Sequence, residues 1–210
     1  MNRFRFYSCF KNRSIIEVIN ISEVQNNLVG RRTIYRFKEK EVANEILEIA
    51  FDAARFAPSH KHTNPWKFYV MGPETRSLII PVVEELSIKK CNEKGLDVTD
   101  DIIERAKNKI LKVPILVAVT SRMSPHDLFL QEEDYAASVC AIHNFILSLW
   151  SQGIGSQWST GSITRNKILY DSLNISSDEE RIIGLIKAGF PEKIPSPKKK
   201  ELSDIRYYLD

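Results

Sequence analysis

The segment from Ala57 to Trp66 concentrates side chains that can bind a ligand. It reads Ala-Pro-Ser-His-Lys-His-Thr-Asn-Pro-Trp, so hydroxyl, imidazole, amine and amide groups lie between two prolines. Pro58 can end a preceding helix, and Pro65 biases Asn64 towards an extended conformation. The pattern is typical of an ordered loop that carries polar groups to a ligand. A plain helix-to-strand connection with a polar surface is an alternative of equal weight.

The histidines of this segment invite a metal-binding interpretation. His60 and His62 alternate, and His126 or His143 could supply a third ligand. We predict no metal site, because no cysteine or carboxylate accompanies them at ligand spacing. His143 falls in an apolar helical stretch, where we expect a hydrogen-bonded core histidine. GxSxG, GxGxxG and P-loop motifs are absent from the sequence, so neither a serine hydrolase nor a glycine-loop nucleotide site is supported.

Two basic clusters could hold an anion. Arg31 and Arg32 stand beside Thr33, which places two guanidinium forks next to a hydroxyl. This combination can grip a phosphate or a carbonyl-rich ring through charge-assisted hydrogen bonds. Lys198 and Lys199 belong to a second cluster near the end of the chain. A solvated or salt-bridged surface position is the commoner role of such charged stretches, so either cluster alone is weak evidence for a site.

Hydrophobic periodicity predicts the elements that must position these groups. Ser22 is a suitable N-cap for a short helix that reaches Val29, and apolar residues at helical spacing predict an amphipathic helix from Glu41 to Phe56. Further predicted elements are strands at Trp66–Met71, Ile115–Val119 and Arg181–Phe190, charged helices at Pro73–Glu93 and Thr99–Lys112, and a small-residue turn at Trp158–Gly161.

The stretch from Asp134 to Gln152 is apolar on nearly every side. A helix of this kind is buried on all sides, so we expect it at the centre of the domain or under a subunit interface. A homodimer is therefore plausible from the sequence. Cys140 lies within this stretch and is predicted to be a small core residue rather than a nucleophile.

Bulk composition limits the function classes. The 210 residues are 43% apolar and 27% charged with a net charge of +3, which suits a globular protein and gives no indication of a nucleic-acid partner. Three cysteines without CxxC spacing favour reduced thiols in a cytoplasmic protein. No apolar stretch approaches the roughly 20 residues of a transmembrane helix, so we predict no membrane association.

We predict a single domain over residues 22–210, preceded by an N-terminal extension over residues 1–21. Residues 1–16 carry four basic side chains, several aromatic ones and no acid until Glu17, as some organelle transit peptides do. We favour a non-catalytic extension, because an apolar signal core is absent.

Taken in order, these segments resemble the FMN-dependent nitroreductase family. The resemblance spans about Asn27 to Asp204, and the histidine-bearing loop is similar to that of small bacterial nitroreductase-like proteins with His-Lys after Ala-Pro. The matching segments are Arg31-Arg32-Thr33 with Phe37 after it, Ala57-Pro58-Ser59 through Asn64-Pro65-Trp66, Glu133-Asp134, Gly153-Ile154-Gly155 before Trp158-Ser159-Thr160-Gly161, and Ile183-Gly184-Leu185-Ile186 to Gly189-Phe190-Pro191.

The resemblance implies an α+β fold, with a central mixed β-sheet flanked by helices, in an intertwined homodimer that binds two FMN molecules. It assigns no side chain an obligatory catalytic role, because the flavin carries the chemistry. The cofactor-binding residues it implies are Arg31, Arg32 and Thr33 along the phosphate, ribityl chain and pyrimidine edge, His60, His62 and Asn64 from the partner subunit, Trp158, Ser159, Thr160 and Gly161 along the flavin, and Lys198 and Lys199 at the phosphate.

The implied activity is that of an FMN-dependent NAD(P)H oxidoreductase. It would pass electrons from NADH or NADPH to a small-molecule acceptor, such as a nitroaromatic, quinone-like or other conjugated electrophile. Two alternatives stay open: a flavin protein of the same fold with another reaction, such as reductive dehalogenation or cofactor breakdown, and a non-enzymatic flavin-binding scaffold.

The sequence departs from the family pattern at two positions. Tyr35 stands where a basic residue is common, and His62 stands where many members have asparagine. Positive charge near the flavin pyrimidine stabilises the reduced anion, so its loss is expected to lower the reduction potential unless Arg32 or a histidine compensates.

Overall fold

The computed structural model describes residues 22–209. These residues belong to two compact units, which divide between Arg31 and Arg32. The expected extension over residues 1–21 lies outside the described residues. That extension and the single domain over residues 22–210 therefore stay predictions.

The described part of the first unit is a short capped helix. Helix α1 is Glu23–Gly30, and its N-cap is Ser22, as predicted. The Ser22 hydroxyl oxygen accepts a hydrogen bond of 3.2 Å from the backbone N–H of Gln25. This bond satisfies one of the donors that a helix start leaves without an intrahelical partner.

The second unit has an α+β fold, as predicted. Its described residues form four strands and six helices, together with three short 3₁₀ turns at His60–His62, Ser162–Arg165 and Leu202–Asp204. In chain order the elements are α2 (Asn44–Arg55), β1 (Trp66–Val70), α3 (Pro73–Leu78), α4 (Ile80–Glu93), α5 (Asp100–Leu111), β2 (Ile115–Arg122), α6 (Leu128–Ser151), β3 (Gly155–Ser159), α7 (Lys167–Leu173) and β4 (Glu180–Gly189).

The strands form one sheet in the order β1-β2-β4-β3. All three strand pairs are antiparallel, whereas the family resemblance implied a mixed sheet. Among the described residues, the one parallel pairing is an isolated bridge between Thr33 and Ser156. The pattern of apolar and polar residues could not predict these strand directions, because it indicates which residues are buried and not the direction of the neighbouring strand.

Two hydrophobic layers cover the two faces of the sheet. Helices α2 and α6 pack on one face, where Phe51 of α2 lies between Phe68 of β1 and Phe145 of α6 with ring centroids 5.5 and 5.0 Å away. Helices α3, α4, α5 and α7 cover the other face, around Leu116 and Leu185. The sheet is thus buried on both sides, which explains the nearly continuous apolar run of β2.

The central helix α6 begins at Leu128, six residues before its predicted start. The cause is a side-chain cap: the carboxylate of Asp127 accepts a 2.9 Å hydrogen bond from the N–H of Leu130. His143 is exposed, so its predicted place in the core is wrong; it lies on the face of α6 that turns away from the sheet. Cys140 is half-buried against the core, as predicted.

The segment predicted as a turn at Trp158–Gly161 is instead largely a strand. Trp158 and Ser159 end β3 and pair with Ile186 and Leu185 of β4. Apart from Trp158, the residues of β3 are small or polar, so the strand lacks the usual apolar alternation. Its pairing therefore depends on tertiary contact with β4. Helix α7 was not predicted.

Two charged side chains, Arg76 and Glu180, hold neighbouring elements together through hydrogen bonds. Arg76 of α3 is buried and donates hydrogen bonds to the carbonyls of Met71 at 2.8 Å and Val113 at 2.6 Å, and burial lowers the pKa of its guanidinium. These bonds attach the excursion formed by α3, α4 and α5 to the strands on either side of it.

Glu180 is the first residue of β4 and joins three strands. It is buried and accepts hydrogen bonds from Lys67 at 2.5 Å, Thr120 at 2.6 Å and Tyr69 at 2.9 Å. Burial by itself would raise the pKa of Glu180, but these three donors outweigh it and hold the pKa below its usual value. Burial and the neighbouring carboxylate raise the pKa of the Tyr69 phenol.

None of the helices between residues 22 and 209 has both the length and the apolar surface needed to cross a bilayer.

Gly184 is required by the close approach of Trp158. The indole N–H donates to the carbonyl of Ile183 at 3.2 Å, and a Cβ atom on Gly184 would lie 2.0 Å from the indole nitrogen. Gly184→Ala is expected to lower the free energy of unfolding by about 1–3 kcal/mol, because the indole must leave its packed position.

Urea denaturation followed by Trp fluorescence measures this effect. Gly72→Ala is the matched control, because a Cβ there meets nothing within 4 Å and its φ is −75°. The control is expected to change stability by less than about 1 kcal/mol. An equal loss in the two variants would contradict the proposed role of Gly184.

Candidate functional site

The loop between α2 and β1 holds an unusual backbone conformation. Lys61, His62 and Asn64 have positive φ angles of 52°, 54° and 44°. Such angles are uncommon in residues other than glycine and cluster at ligand-binding and active sites. Asn64 was expected to be extended before Pro65, and that expectation is wrong. Asparagine tolerates the left-handed region, and here its amide donates to the carbonyl of His62 at 3.0 Å.

Asp134 of α6 fixes this loop from below. Its side chain is almost fully buried, yet it accepts hydrogen bonds from Thr63 at 2.5 Å and from Arg122 at 2.7 and 3.1 Å. The two partners come from the loop and from the end of β2. A buried carboxylate needs such partners, because an unpaired charge in the interior is strongly destabilising.

Hydroxyl groups extend the hydrogen-bond network of Asp134 into the loop. Ser59 and Thr63 place their side-chain oxygens 3.1 Å apart, and the Ser59 oxygen also accepts from the N–H of Asn64 at 2.9 Å. The backbone N–H of Arg122 donates to the carbonyl of Pro65 at 2.9 Å. The loop is therefore ordered by internal bonds, as the sequence predicted.

The remaining side chains of the loop point to solvent. His60, Lys61, His62 and Asn64 are all exposed, and the His60 imidazole lies 3.8 Å from the carboxylate of Glu133. The loop thus presents imidazole, amine and amide groups from a fixed backbone, which is what ligand binding requires. In the described part of the chain no three His, Cys, Asp or Glu side chains are grouped closely enough to hold a metal ion.

The segment after Arg31 runs along the outer edge of β3. Thr33 forms its bridge with Ser156, and the N–H of Ile34 donates to the Ser156 carbonyl at 2.9 Å. Ile34 is fully buried, whereas Arg32 and Thr33 are half-buried. Arg31 belongs to the first unit, where its N–H donates to the carbonyl of Asn27 at 3.1 Å.

The same strand carries the next group of predicted residues. Ser159 is half-buried, and Thr160 and Gly161 are exposed just beyond the end of β3. Thr33 pairs three residues earlier on β3, so about 10 Å of strand separates it from Ser159. The indole N–H of Trp158 is already bonded to Ile183, so this residue has only its ring to offer a ligand.

Lys198 and Lys199 lie in the segment after β4 and are exposed. No hydrogen bond or ion pair within residues 22–209 ties either lysine to the Thr33 segment. Their predicted place at a phosphate therefore stays a prediction.

One chain does not bring the two halves of the predicted site together. The histidine loop leads into β1 and the Thr33 segment lies beside β3, and these strands are opposite edges of the sheet. Three strand spacings separate the edges, which amounts to about 14 Å. Several large apolar side chains are also exposed on α2, at its C-cap and on α6, namely Ile49, Phe56, Leu128, Phe129 and Tyr135.

The sequence pointed to Asp134 only as part of a motif and gave it no role. The available signal was an acidic residue inside an otherwise apolar helical stretch, which calls for a buried partner. Arg122 and Thr63 could not be identified as those partners, because 12 and 71 residues separate them from Asp134 in the sequence.

Comparisons with known proteins identify related sequences and folds. The model of the nitroreductase family matches residues 28–190. The candidate NAD(P)H nitroreductase YfhC of Bacillus subtilis (strain 168) is 28% identical over 180 residues, which cover 85% of this chain and 90% of YfhC.

Solved structures show a similar fold. A nitroreductase-like family protein from Bacillus cereus is 24% identical with a TM-score of 0.74, and the match covers 90% of this chain and 97% of that one. A candidate nitroreductase from Desulfovibrio desulfuricans in complex with FMN is 17% identical with a TM-score of 0.70, covering 90% and 98%.

Removal of the Asp134 charge is expected to release the loop. Asp134→Asn should lower the free energy of unfolding by about 1–3 kcal/mol, because the buried side chain loses the charge that accepts hydrogen bonds from Thr63 and the exposed Arg122. It should also speed tryptic cleavage after Lys61, because local opening of the loop becomes easier. Limited proteolysis with mass spectrometry measures the second effect.

Glu132→Gln is the control, because Glu132 is an exposed acid on the same helix. It is expected to change stability by less than about 0.5 kcal/mol and to leave cleavage after Lys61 at the wild-type rate. Equal cleavage rates in Asp134→Asn and the wild type would show that Asp134 does not hold the loop.

Proposed function

The chain belongs to the nitroreductase family, and from this premise we propose that it is an FMN-dependent oxidoreductase. It uses NADH or NADPH to reduce small nitroaromatic, quinone-like or other conjugated electrophiles. The observation that carries the proposal is the loop fixed by Asp134, which holds His60 and His62 outward from a strained backbone. Support also comes from YfhC, whose name includes NAD(P)H, and from the FMN complex of the Desulfovibrio protein.

The donor groups of the chain fit FMN. This cofactor has a dianionic phosphate, a polar pyrimidine edge and a flat, largely apolar ring system. Arg32 can meet the phosphate with a charge-assisted fork, and Thr33 beside it offers a hydroxyl. Lys198 and Lys199 add exposed positive charge that a phosphate can recruit. When bound, FMN supplies the centre for hydride transfer between the nicotinamide and the acceptor.

The residues along β3 would orient the ring. Ser159 and Thr160 offer hydroxyl groups and backbone donors at the end of the strand, and Gly161 has open space at its Cα. Trp158 contributes an aromatic surface, because its N–H is committed to Ile183. Together these groups position the ring, and no side chain is required to donate or accept a proton as an obligatory step.

Positive charge near the pyrimidine edge would favour the reduced cofactor. Tyr35 is 65% exposed and offers a neutral phenol. The charge must therefore come from Arg32 or from the histidines of the loop.

We propose that two copies of the chain form an intertwined homodimer with two cofactor sites. The loop and the Thr33 segment lie at opposite edges of one sheet, so the loop of one copy would complete the site of its partner. The exposed apolar side chains of α2 and α6 favour the same arrangement, because burial against a second copy would remove them from water.

Net charge and the state of the cysteines bear on the proposed partners and location. A net charge of +3 gives no support for nucleic acid, and a small-molecule acceptor suits the activity. Cys91 and Cys140 are free thiols, which favours a cytoplasmic location.

Absorbance spectroscopy of the purified protein tests the activity. We expect bound flavin that bleaches when NADH or NADPH is added without oxygen, and that regains colour when a quinone or nitroaromatic follows. Lack of bound flavin together with failure to bind added FMN would contradict the proposal. A bound flavin that neither nicotinamide reduces would instead favour a non-enzymatic scaffold.

Hybrid dimers test whether two subunits build each site. Arg32→Ala and His62→Ala homodimers are each expected to bind FMN about 10–100-fold more weakly, because each loses a polar or charged contact at both sites. A hybrid of one subunit of each kind should regain one intact site. Titration of flavin fluorescence should then show wild-type affinity at half the wild-type stoichiometry.

A hybrid of Arg32→Ala with Thr33→Val is the control. Both changes fall on the same segment, so each site of this hybrid keeps one defect and tight binding should not return. If the first hybrid also fails to regain tight binding, the loop and the arginine segment serve the same subunit and the proposed arrangement is wrong.

A further inference from the structure

A cavity lies on the sheet face opposite α2 and α6. It has a volume of about 750 Å³ and opens between α4, α5 and the 3₁₀ turn Ser162–Arg165. This volume is sufficient for a small organic molecule. Apolar side chains form much of its wall, including Val83, Leu86, Ile102, Ala106, Ile110 and Ile163.

The charges around the cavity are nearly all positive. The lining residues include six cations, Lys89, Lys90, Lys94, Arg105, Lys109 and Lys187, and a single acid, Glu93. The Arg105 guanidinium is paired with Asp101, so its charge is partly balanced. The five lysines of the lining form no ion pair with another lining residue. Cations brought together in this way repel one another unless an anion lies between them.

Lys187 is the most informative of these groups. It lies in β4 between Leu116 of β2 and Gln157 of β3, and its side chain is half-buried on the face of the sheet that α4 and α5 cover. Burial lowers the pKa of the Lys187 ammonium to about 8, and repulsion from Lys109 adds to this effect. Within residues 22–209 no carboxylate forms a hydrogen bond or ion pair with Lys187. A cation in this position costs stability unless something outside the chain compensates it.

The cavity is separate from the proposed cofactor contacts, apart from one residue. Gly161 lines it, but Arg32, Thr33, the histidine loop and the two tail lysines do not. The cavity also lies on the face away from the exposed apolar side chains of α2 and α6. It is therefore a site in addition to the one that would hold FMN.

We propose that this cavity binds a small organic phosphate, with its phosphate group at Lys187 and Lys109 and its carbon skeleton against Leu86, Ile102 and Ile163. A dianionic group matches the two neighbouring ammonium groups of Lys187 and Lys109 better than a neutral ligand does. The apolar wall accounts for the organic part, because a bare inorganic ion would leave that surface unused.

Thermal unfolding with inorganic pyrophosphate as the probe tests the site. The protein is first supplemented with saturating FMN, so that the proposed cofactor site does not compete for the probe. Pyrophosphate is expected to raise the melting temperature of the wild type, because it binds only the folded state. Lys187→Met should melt at a higher temperature than the wild type without the probe, because it removes a half-buried cation that has no acidic partner in the described chain. It should also lose the increase that the probe produces.

Calorimetry on two further variants provides the comparison. Lys109→Gln is an exposed change that should leave folding intact and weaken pyrophosphate binding about tenfold. Lys38→Gln is the matched control, because Lys38 is an exposed lysine outside the cavity, and its affinity should equal that of the wild type. Unchanged affinity in both Lys187→Met and Lys109→Gln, or no binding to the wild type, would overturn the proposal.

Two sources of the phosphate can be separated by steady-state kinetics, an arm that rests on the proposed function. If the ligand is the 2′-phosphate of NADPH, Lys187→Met raises KM for NADPH about tenfold and leaves KM for NADH unchanged. If the ligand is a separate metabolite, neither KM changes and the calorimetric effect remains. The calorimetry does not require turnover, so it stays interpretable even if the protein reduces no acceptor.

Discussion

Burial of the Asp134 carboxylate is the constraint on which the candidate site depends. A charge inside a packed helix layer must be met by donors, and the donors come from two elements that are distant in sequence, Thr63 in the loop and Arg122 at the end of β2. The hydrogen bonds to this carboxylate therefore fix the position of the loop relative to α6 and β2. The positive φ angles of Lys61 and His62 become tolerable because the bonds on either side determine the path.

Strand order is the second constraint, and it acts at longer range. With β1 and β3 as opposite edges, the histidine loop and the Thr33 segment cannot meet within one chain by any small side-chain movement. The proposed cofactor site thus requires a second copy, and the apolar residues left exposed on α2 and α6 are suited to that contact. The oligomer would be part of the active site rather than an addition to it.

The sequence predicted what apolar periodicity determines. Helix α2, the core of α6 and strands β1, β2 and β4 each bury an apolar pattern, and each was found within a few residues. Features that depend on a tertiary partner were missed. Trp158 joined a strand because β4 offered it a partner and Gly184 left room for its ring. Similarly, Asn64 left the extended region because its own amide bonded the loop backbone, and the role of Asp134 required partners far along the chain.

Glu180 and Lys187 are two charged side chains of the same strand with different surroundings. Glu180 is surrounded by Lys67, Tyr69 and Thr120, whose hydrogen bonds outweigh the cost of its burial and keep its pKa low. Lys187 lies seven residues later and is half-buried, with a lowered pKa and no acidic partner in the described chain. The unpaired ammonium therefore indicates an anion from outside the chain, and the adjoining apolar cavity indicates that this anion is organic.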